Sequence, residues 1–195
     1  MQAQWTIRDV FKHDVPITWL GVDFSQMKFI GPASSWGNES TKSSAEIRDT
    51  YFRAWNETIE KEAHLFKIEE AVDRKTIGWG TDVSRRANEQ AGNKEIFSEE
   101  TDDYQSLRED YLAELVRHYR FNGLSGIGFI LIAEGMNKNL AEASYWATFI
   151  DMQEGRILFA KRIIGSAGGF GFRNYWLGSI KSVFRTMKKE FKTWK

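Results

Sequence analysis

The stretch GSAGGFGFRNYWLG, from Gly165 to Gly178, gathers residue types that could do chemistry: five glycines in fourteen residues, with Arg173 and Trp176 among them. It joins an apolar run that reads as a strand to one that reads as a helix, where a phosphate-cradling loop would sit. A Walker-type loop ends in Gly-Lys-Ser/Thr, because the lysine meets the phosphates and the hydroxyl meets magnesium. Here no lysine falls between Arg162 and Lys181. A dinucleotide fingerprint needs Gly-x-Gly-x-x-Gly inside a βαβ unit. Gly169-Phe170-Gly171 is followed by Asn174 where the third glycine belongs, and no further strand is read after the helix. Both nucleotide motifs fail. What remains is glycine-rich backbone at a helix N-terminus, whose free N–H groups could hold an anion beside Arg173. Gly168, Gly169, Gly171, Arg173 and Trp176 are therefore the ligand-binding candidates. The preferred role for the glycines is a flexible corner where the chain turns and aromatic neighbours pack closely.

Other chemistry is sparse. His13, His64 and His118 have no metal-ligand spacing, and no serine stands in a Gly-x-Ser-x-Gly elbow. Cysteine is absent, which excludes disulfides, thiolate catalysis and cysteine-ligated metal centres. No catalytic residue, metal or cofactor is expected. Two acids stand out by position: Asp23 at the end of the first strand and Glu134 in the most apolar one. A carboxylate in such a strand is either partnered or functional. For Glu134 the preferred expectation is that it sits at the strand's exit and meets solvent or an arginine.

Charge is balanced overall but segregated. Residues 40–110 carry 11 Lys/Arg against 17 Asp/Glu, a net −6, and residues 156–195 carry 10 against one, a net +9. Such asymmetry marks a charged partner, or two regions that face each other within the fold. Intramolecular balancing or a protein partner is preferred to nucleic acid, which would bind through the C-terminal cations in a salt-sensitive way. No stretch approaches the roughly 20 apolar residues of a membrane span.

These residues must be positioned by elements, and the periodicities supply them. Val15–Ser25 reads as a first strand through Ile17, Trp19 and Val22, and the turn formers of 31–44 as a loop. Ser43 and Glu46 form a capping-box pattern before a helix to about Ala63, striped by Ile47, Tyr51, Trp55 and Ile59. Leu65, Phe66 and Ile68 read as a short strand. Residues 78–103 are polar and aperiodic: a long loop, an irregular insertion or a pair of short helices. A helix over Tyr104–Tyr119 precedes three strands at Gly126–Gly135, Glu142–Met152 and Arg156–Gly165. The last two are joined antiparallel through DMQEG, with Gly155 free to take positive φ. From Asn174 the spacing of Trp176, Ile180, Val183, Phe184, Met187, Phe191 and Trp194 makes one apolar helical stripe. Lys181, Arg185, Lys188, Lys189 and Lys192 line the rest and are the candidate partner surface. The stripe could lie on an anionic membrane as a peripheral contact, but three strands need cover, so packing on the sheet is preferred. The expected class is α+β, a single α/β-sandwich domain over 1–195. Its mixed sheet ends in an antiparallel hairpin and is covered by helices, including the C-terminal one.

The order strand, long helix, short strand, helix, three strands and terminal helix resembles the small α/β sandwich of the TolB N-terminal domain, the CsgG curli-secretion family and the penicillin-binding-protein activator lipoproteins. ITWLGVDF, LFKIEEAVDR and SYWATFIDMQEGRILFAKRIIG carry the resemblance, with Asp151 and Gly155 at the Asp-x-x-x-Gly of the last connection. The stretch 78–103 and the glycine-rich loop depart from it. The resemblance implies a non-enzymatic bacterial envelope protein, periplasmic or secreted, that binds other proteins of the envelope. Gln2-Ala3-Gln4 agrees with export, since it resembles the residue of an Ala-x-Ala signal-peptidase site. The alternative function is a small-molecule or nucleotide-binding domain with the loop 165–171 as anion site, and the alternative location is cytoplasmic. Oligomeric state is left open.

Overall fold

The computed structural model describes residues 4–92 and 94–195; Gln2 and Ala3, on which the export expectation partly rests, lie outside the described residues. In chain order the elements are α1 (Ile7–Val10), β1 (Ile17–Asp23), β2 (Lys28–Ile30), α2 (Ser44–Ile47), a π-helical turn (Arg48–Phe52) and α3 (Arg53–Lys61). Next come α4 (Ala63–Phe66), α5 (Ile68–Ala71), β3 (Gly78–Trp79), α6 (Asp82–Glu89), β4 (Phe97–Ser98) and α7 (Glu109–Arg117). The chain closes with β5 (Ile127–Asn137), β6 (Glu142–Asp151), β7 (Arg156–Ser166) and α8 (Phe172–Glu190).

The class is mixed α/β, and β5 is the hub of its sheet. On one side β5 pairs antiparallel with β6 along its whole length, and β6 pairs antiparallel with β7. On the other side it pairs in parallel with two strands in succession. Ile17 of β1 lies opposite Ile127, and Lys28 of β2 opposite Gly135. β1 and β2 thus form one edge row, interrupted by residues 24–27, and the short strands β3 and β4 extend it in parallel. β5 is buried from end to end, as its unbroken apolar run requires.

Alternation of side chains gives each face its own core. Trp19, Phe129, Leu131, Tyr145 and Phe149 join the larger core with Trp55, Trp176, Val183, Phe184 and Met187 from α3 and α8. Leu20, Ile130, Ile132, Trp146 and Ile150 face the opposite way, toward Val83 of α6 and Leu112 and Val116 of α7. The apolar stripe of α8 is therefore spent on the sheet, with Trp176, Ile180, Val183, Phe184, Met187 and Phe191 all buried. Ser43 and Glu46 make the reciprocal capping box anticipated for the start of α2. Asp151 closes the β6–β7 connection, its carboxylate accepting from the N–H groups of Gln153 and Glu154 and its carbonyl from Gly155.

One expectation is corrected. Leu65, Phe66 and Ile68 form no strand; they belong to α4 and α5, divided by Lys67 at a left-handed φ of 52°. The run LFKI is too short for its period to separate strand from helix. Of the alternatives for 78–103, the pair of short helices comes nearest: the stretch holds β3, α6 and β4 and runs into a 3-10 turn over Thr101–Gln105. α6 sits hard against the sheet because Gly21 of β1 leaves room for it; a Cβ at Gly21 would lie 1.9 Å from Ser84 Oγ.

Candidate functional site

The glycine-rich loop sits at the end of the sheet where β5 finishes. Three of its N–H groups are already committed. Ser166 donates to Ser182 Oγ (3.2 Å), Ala167 to the Ala141 carbonyl (2.7 Å) and Gly168 to the Tyr175 carbonyl (3.0 Å). Gly169 and Gly171 have positive φ, 132° and 79°, and Gly171 is the N-cap of α8. Between them Phe170 is 96% exposed, the most exposed large apolar side chain among the described residues. The Ala167–Ala141 bond ties this loop to the β5–β6 turn, whose Leu140 is 56% exposed. Cations stand close by: Arg173 is exposed, and Lys138 Nζ lies 3.7 Å from the centre of the Tyr175 ring. Trp176 is corrected as a ligand-binding candidate. It is 1% exposed and stacks on Trp36 at 5.7 Å, so its indole is core.

The basic face of α8 is partly neutralised. Lys188 pairs with Glu70 of α5 at 2.5 Å and Lys192 with Asp73 at 3.0 Å, while Lys181 lies over the Phe66 ring. Arg185 and Lys189 stay exposed with no carboxylate in reach among the described residues. The acidic and basic halves of the sequence thus meet within the fold along α5 and α8.

Both acids singled out in the sheet are buried and partnered. Glu134 does not reach solvent at the strand's exit. It lies at the irregularity of the β5–β6 ladder and binds Arg162 in a fork, Nε to Oε2 at 3.0 Å and Nη2 to Oε1 at 2.9 Å. Its oxygens also accept from Leu107 N–H and Ser144 Oγ–H, and the guanidinium stacks on Trp146. Asp23 accepts from Tyr119 Oη–H (2.5 Å) and Ser25 N–H (2.7 Å). Burial pushes its carboxyl above the ordinary range, against the pull of those donors, and pushes the Tyr119 hydroxyl well up. The three histidines are exposed, and no group of metal-ligating side chains assembles among the described residues.

A cleft of about 610 Å³ lies at the sheet edge between α6 and the continuous helix formed by α2, the π-helical turn and α3. No motif announced it. Its floor is made by two asparagines that complete the backbone hydrogen bonding of β1. Asn56 accepts from Val22 N–H (2.8 Å) and donates to Val22 C=O (2.9 Å). Asn88 accepts from Phe24 N–H (2.7 Å) and also donates to Val22 C=O (3.0 Å). The two amides hold the gap between β3 and β4 where a further strand would otherwise pair. The walls carry Arg48, Asp49, Arg53, Glu57 and Glu60 on one side and Asp82, Arg85 and Glu89 on the other.

No protein-family model, curated protein or solved structure matches the chain.

Proposed function

We propose that this protein is a non-enzymatic recognition module that binds another protein through the loop 165–171 and the neighbouring β5–β6 turn. The observation that carries this is Phe170: a whole aromatic ring held in solvent between glycines, on a loop that Ala167 bonds to the turn carrying half-exposed Leu140. A single exposed apolar side chain is ordinary, but a fully exposed ring with an arginine nearby has the make-up of an interface core, where aromatic residues and arginine are enriched. Arg173 and Lys138 set a positive rim, so the partner surface is an apolar pocket edged by acids. The inward bonds of Ser166, Ala167 and Gly168 favour this over the loop as an anion cradle. The exposed cations of α8, Arg185 and Lys189, extend the candidate surface.

The sandwich of the TolB and CsgG type is the scaffold proposed for it. Support comes from the closing order β5, β6, β7 and α8 and from Asp151 closing the Asp-x-x-x-Gly turn, while helices replace the short strand expected at LFKI. The bacterial envelope, and an envelope protein as partner, follow from that resemblance. The test is affinity capture from extracts of the source cell with wild type, Phe170→Ser and Arg173→Glu. A partner retained by wild type and lost by both variants, at unchanged Tm, is expected. Equal retention by all three would remove the loop from the account.

A further inference from the structure

We propose that the cleft between α3 and α6 is a second binding site, for an extended segment of about five residues. The segment carries a carboxylate at one end and a cation at the other. Its anchor is Arg48, which is 7% exposed, lines the cleft and has no carboxylate partner among the described residues. One guanidinium nitrogen, Nη1, donates to the Lys94 carbonyl; Nε and Nη2 have no acceptor among the described residues. The stem of Arg48 is buried, but the two nitrogens without an acceptor are not sealed in the core and face the cleft, and an arginine fork matches a carboxylate in two parallel bonds. Arg48 also opens the π-helical turn, a local departure from α-helix that occurs often at functional sites.

The rest of the cleft decides what kind of anion. The other two arginines are occupied at the rim: Arg53 pairs with Glu57 (2.6 Å), and Arg85 with Asp82 (2.8 Å) and Glu89 (2.9 Å). Asp49 and Glu60 are exposed. Five carboxylates against three guanidinium groups leave the lining net negative, which repels a polyanion such as nucleic acid. It admits a ligand with one anionic group at Arg48 and a cation at Glu60, since Glu57 is already held by Arg53 and Lys61. Arg48 and Glu60 are separated by twelve residues, about 18 Å at 1.5 Å per helical residue. At roughly 3.3–3.6 Å per residue, an extended peptide spans that with about five. The asparagine amides on the floor block addition of a strand to β1, so recognition is by side chains and termini rather than by sheet extension.

The test is equilibrium dialysis of the whole protein against pools of pentapeptides with three randomised central positions. One pool begins with lysine and ends in a free carboxylate. A second is amidated, a third is amidated after a terminal aspartate, and a fourth replaces lysine with norleucine. Expected is at least tenfold greater retention of the free-carboxylate pool or the aspartate pool than of the neutral amide. Which of these two is held tells a chain terminus from an acidic side chain. Norleucine should weaken retention severalfold, Arg48→Gln should abolish it, and Glu60→Gln, at an exposed position that leaves the fold intact, should match the norleucine loss. Phe170→Ser should change nothing, which separates this site from the loop surface. Saturable binding that ignores the carboxylate, survives Arg48→Gln or is indifferent to Glu60→Gln overturns the proposal. Lack of saturable binding to any pool overturns it equally.

Discussion

Glu134 and Asp23 show what a buried carboxylate can and cannot tell from sequence. An acid inside an apolar run is visible at once. Its partner is not, because Arg162 lies 28 residues away on a strand that is not adjacent to β5. Removing the Glu134 carboxylate leaves the Leu107 N–H and the Ser144 hydroxyl without their acceptor and takes the counter-charge from Arg162, whose Nη2 keeps only the Leu107 and Gln105 carbonyls. Glu134→Ala should therefore cost about 3 kcal/mol in urea unfolding, the low end for a broken buried pair because Arg162 keeps some access to water. A loss below about 1 kcal/mol would mean that the fork contributes little. Asp23 makes a prediction about pH. Its folded carboxyl keeps a proton that the unfolded chain gives up near pH about 3.9. The stability it contributes is complete below that value and is lost as pH rises through the higher folded value. Asp23→Asn keeps an acceptor for Ser25 or Tyr119 but cannot ionise, so its stability relative to wild type should climb across that window. Parallel stability–pH curves would contradict the shift. Trp176 gives the opposite lesson: three residues from Arg173 in the first turn of α8 it reads as available, but it heads the apolar stripe of Ile180, Val183, Phe184 and Met187 and is buried with it.

At the level of elements, long strong periods were legible and short ones were not. The strands over 126–165 and the apolar stripe of α8 were readable because each pattern runs for about ten residues or more, and the capping box at Ser43 because its two side chains have a fixed three-residue offset. The pieces at 63–71 and 78–79 fall below that length, and tertiary contacts decide them. In the glycine-rich run the close packing preferred over a phosphate cradle is met by backbone rather than by aromatic neighbours. Gly165 and Gly178 are there for close approach: a Cβ at Gly178 would fall 2.1 Å from the Gly168 carbonyl oxygen, and one at Gly165 2.2 Å from that of Ser179. Backbone meets backbone at both points, so neither clash is relieved by a rotamer change. Gly178→Ala should cost about 1–3 kcal/mol by prising α8 from the loop. Thermal unfolding reads it, and an unchanged Tm would show that the loop moves aside freely.

Across the whole molecule, charge segregation is plain in the sequence, which leaves balance within the fold and a protein partner as the two readings preferred to nucleic acid. Lys188 with Glu70 and Lys192 with Asp73 are where that balance is struck. The cleft was illegible for a geometric reason. Its walls come from residues 45–60 and 81–92, and what joins them is β1 between two asparagines more than thirty residues apart. The exposed ring was hidden by its neighbours, because a phenylalanine flanked by glycines reads as part of a flexible corner. Phe170 nonetheless carries the central claim, that the molecule works by presenting one end of its sheet to another protein. The most direct test places a photo-crosslinking amino acid at position 170 and, as control, at exposed position 154 in the β6–β7 turn at the opposite end. Illumination in the source cell should trap a discrete protein adduct from position 170 and none from position 154. Adducts of the same identity and yield from both positions, or none from position 170, would contradict it.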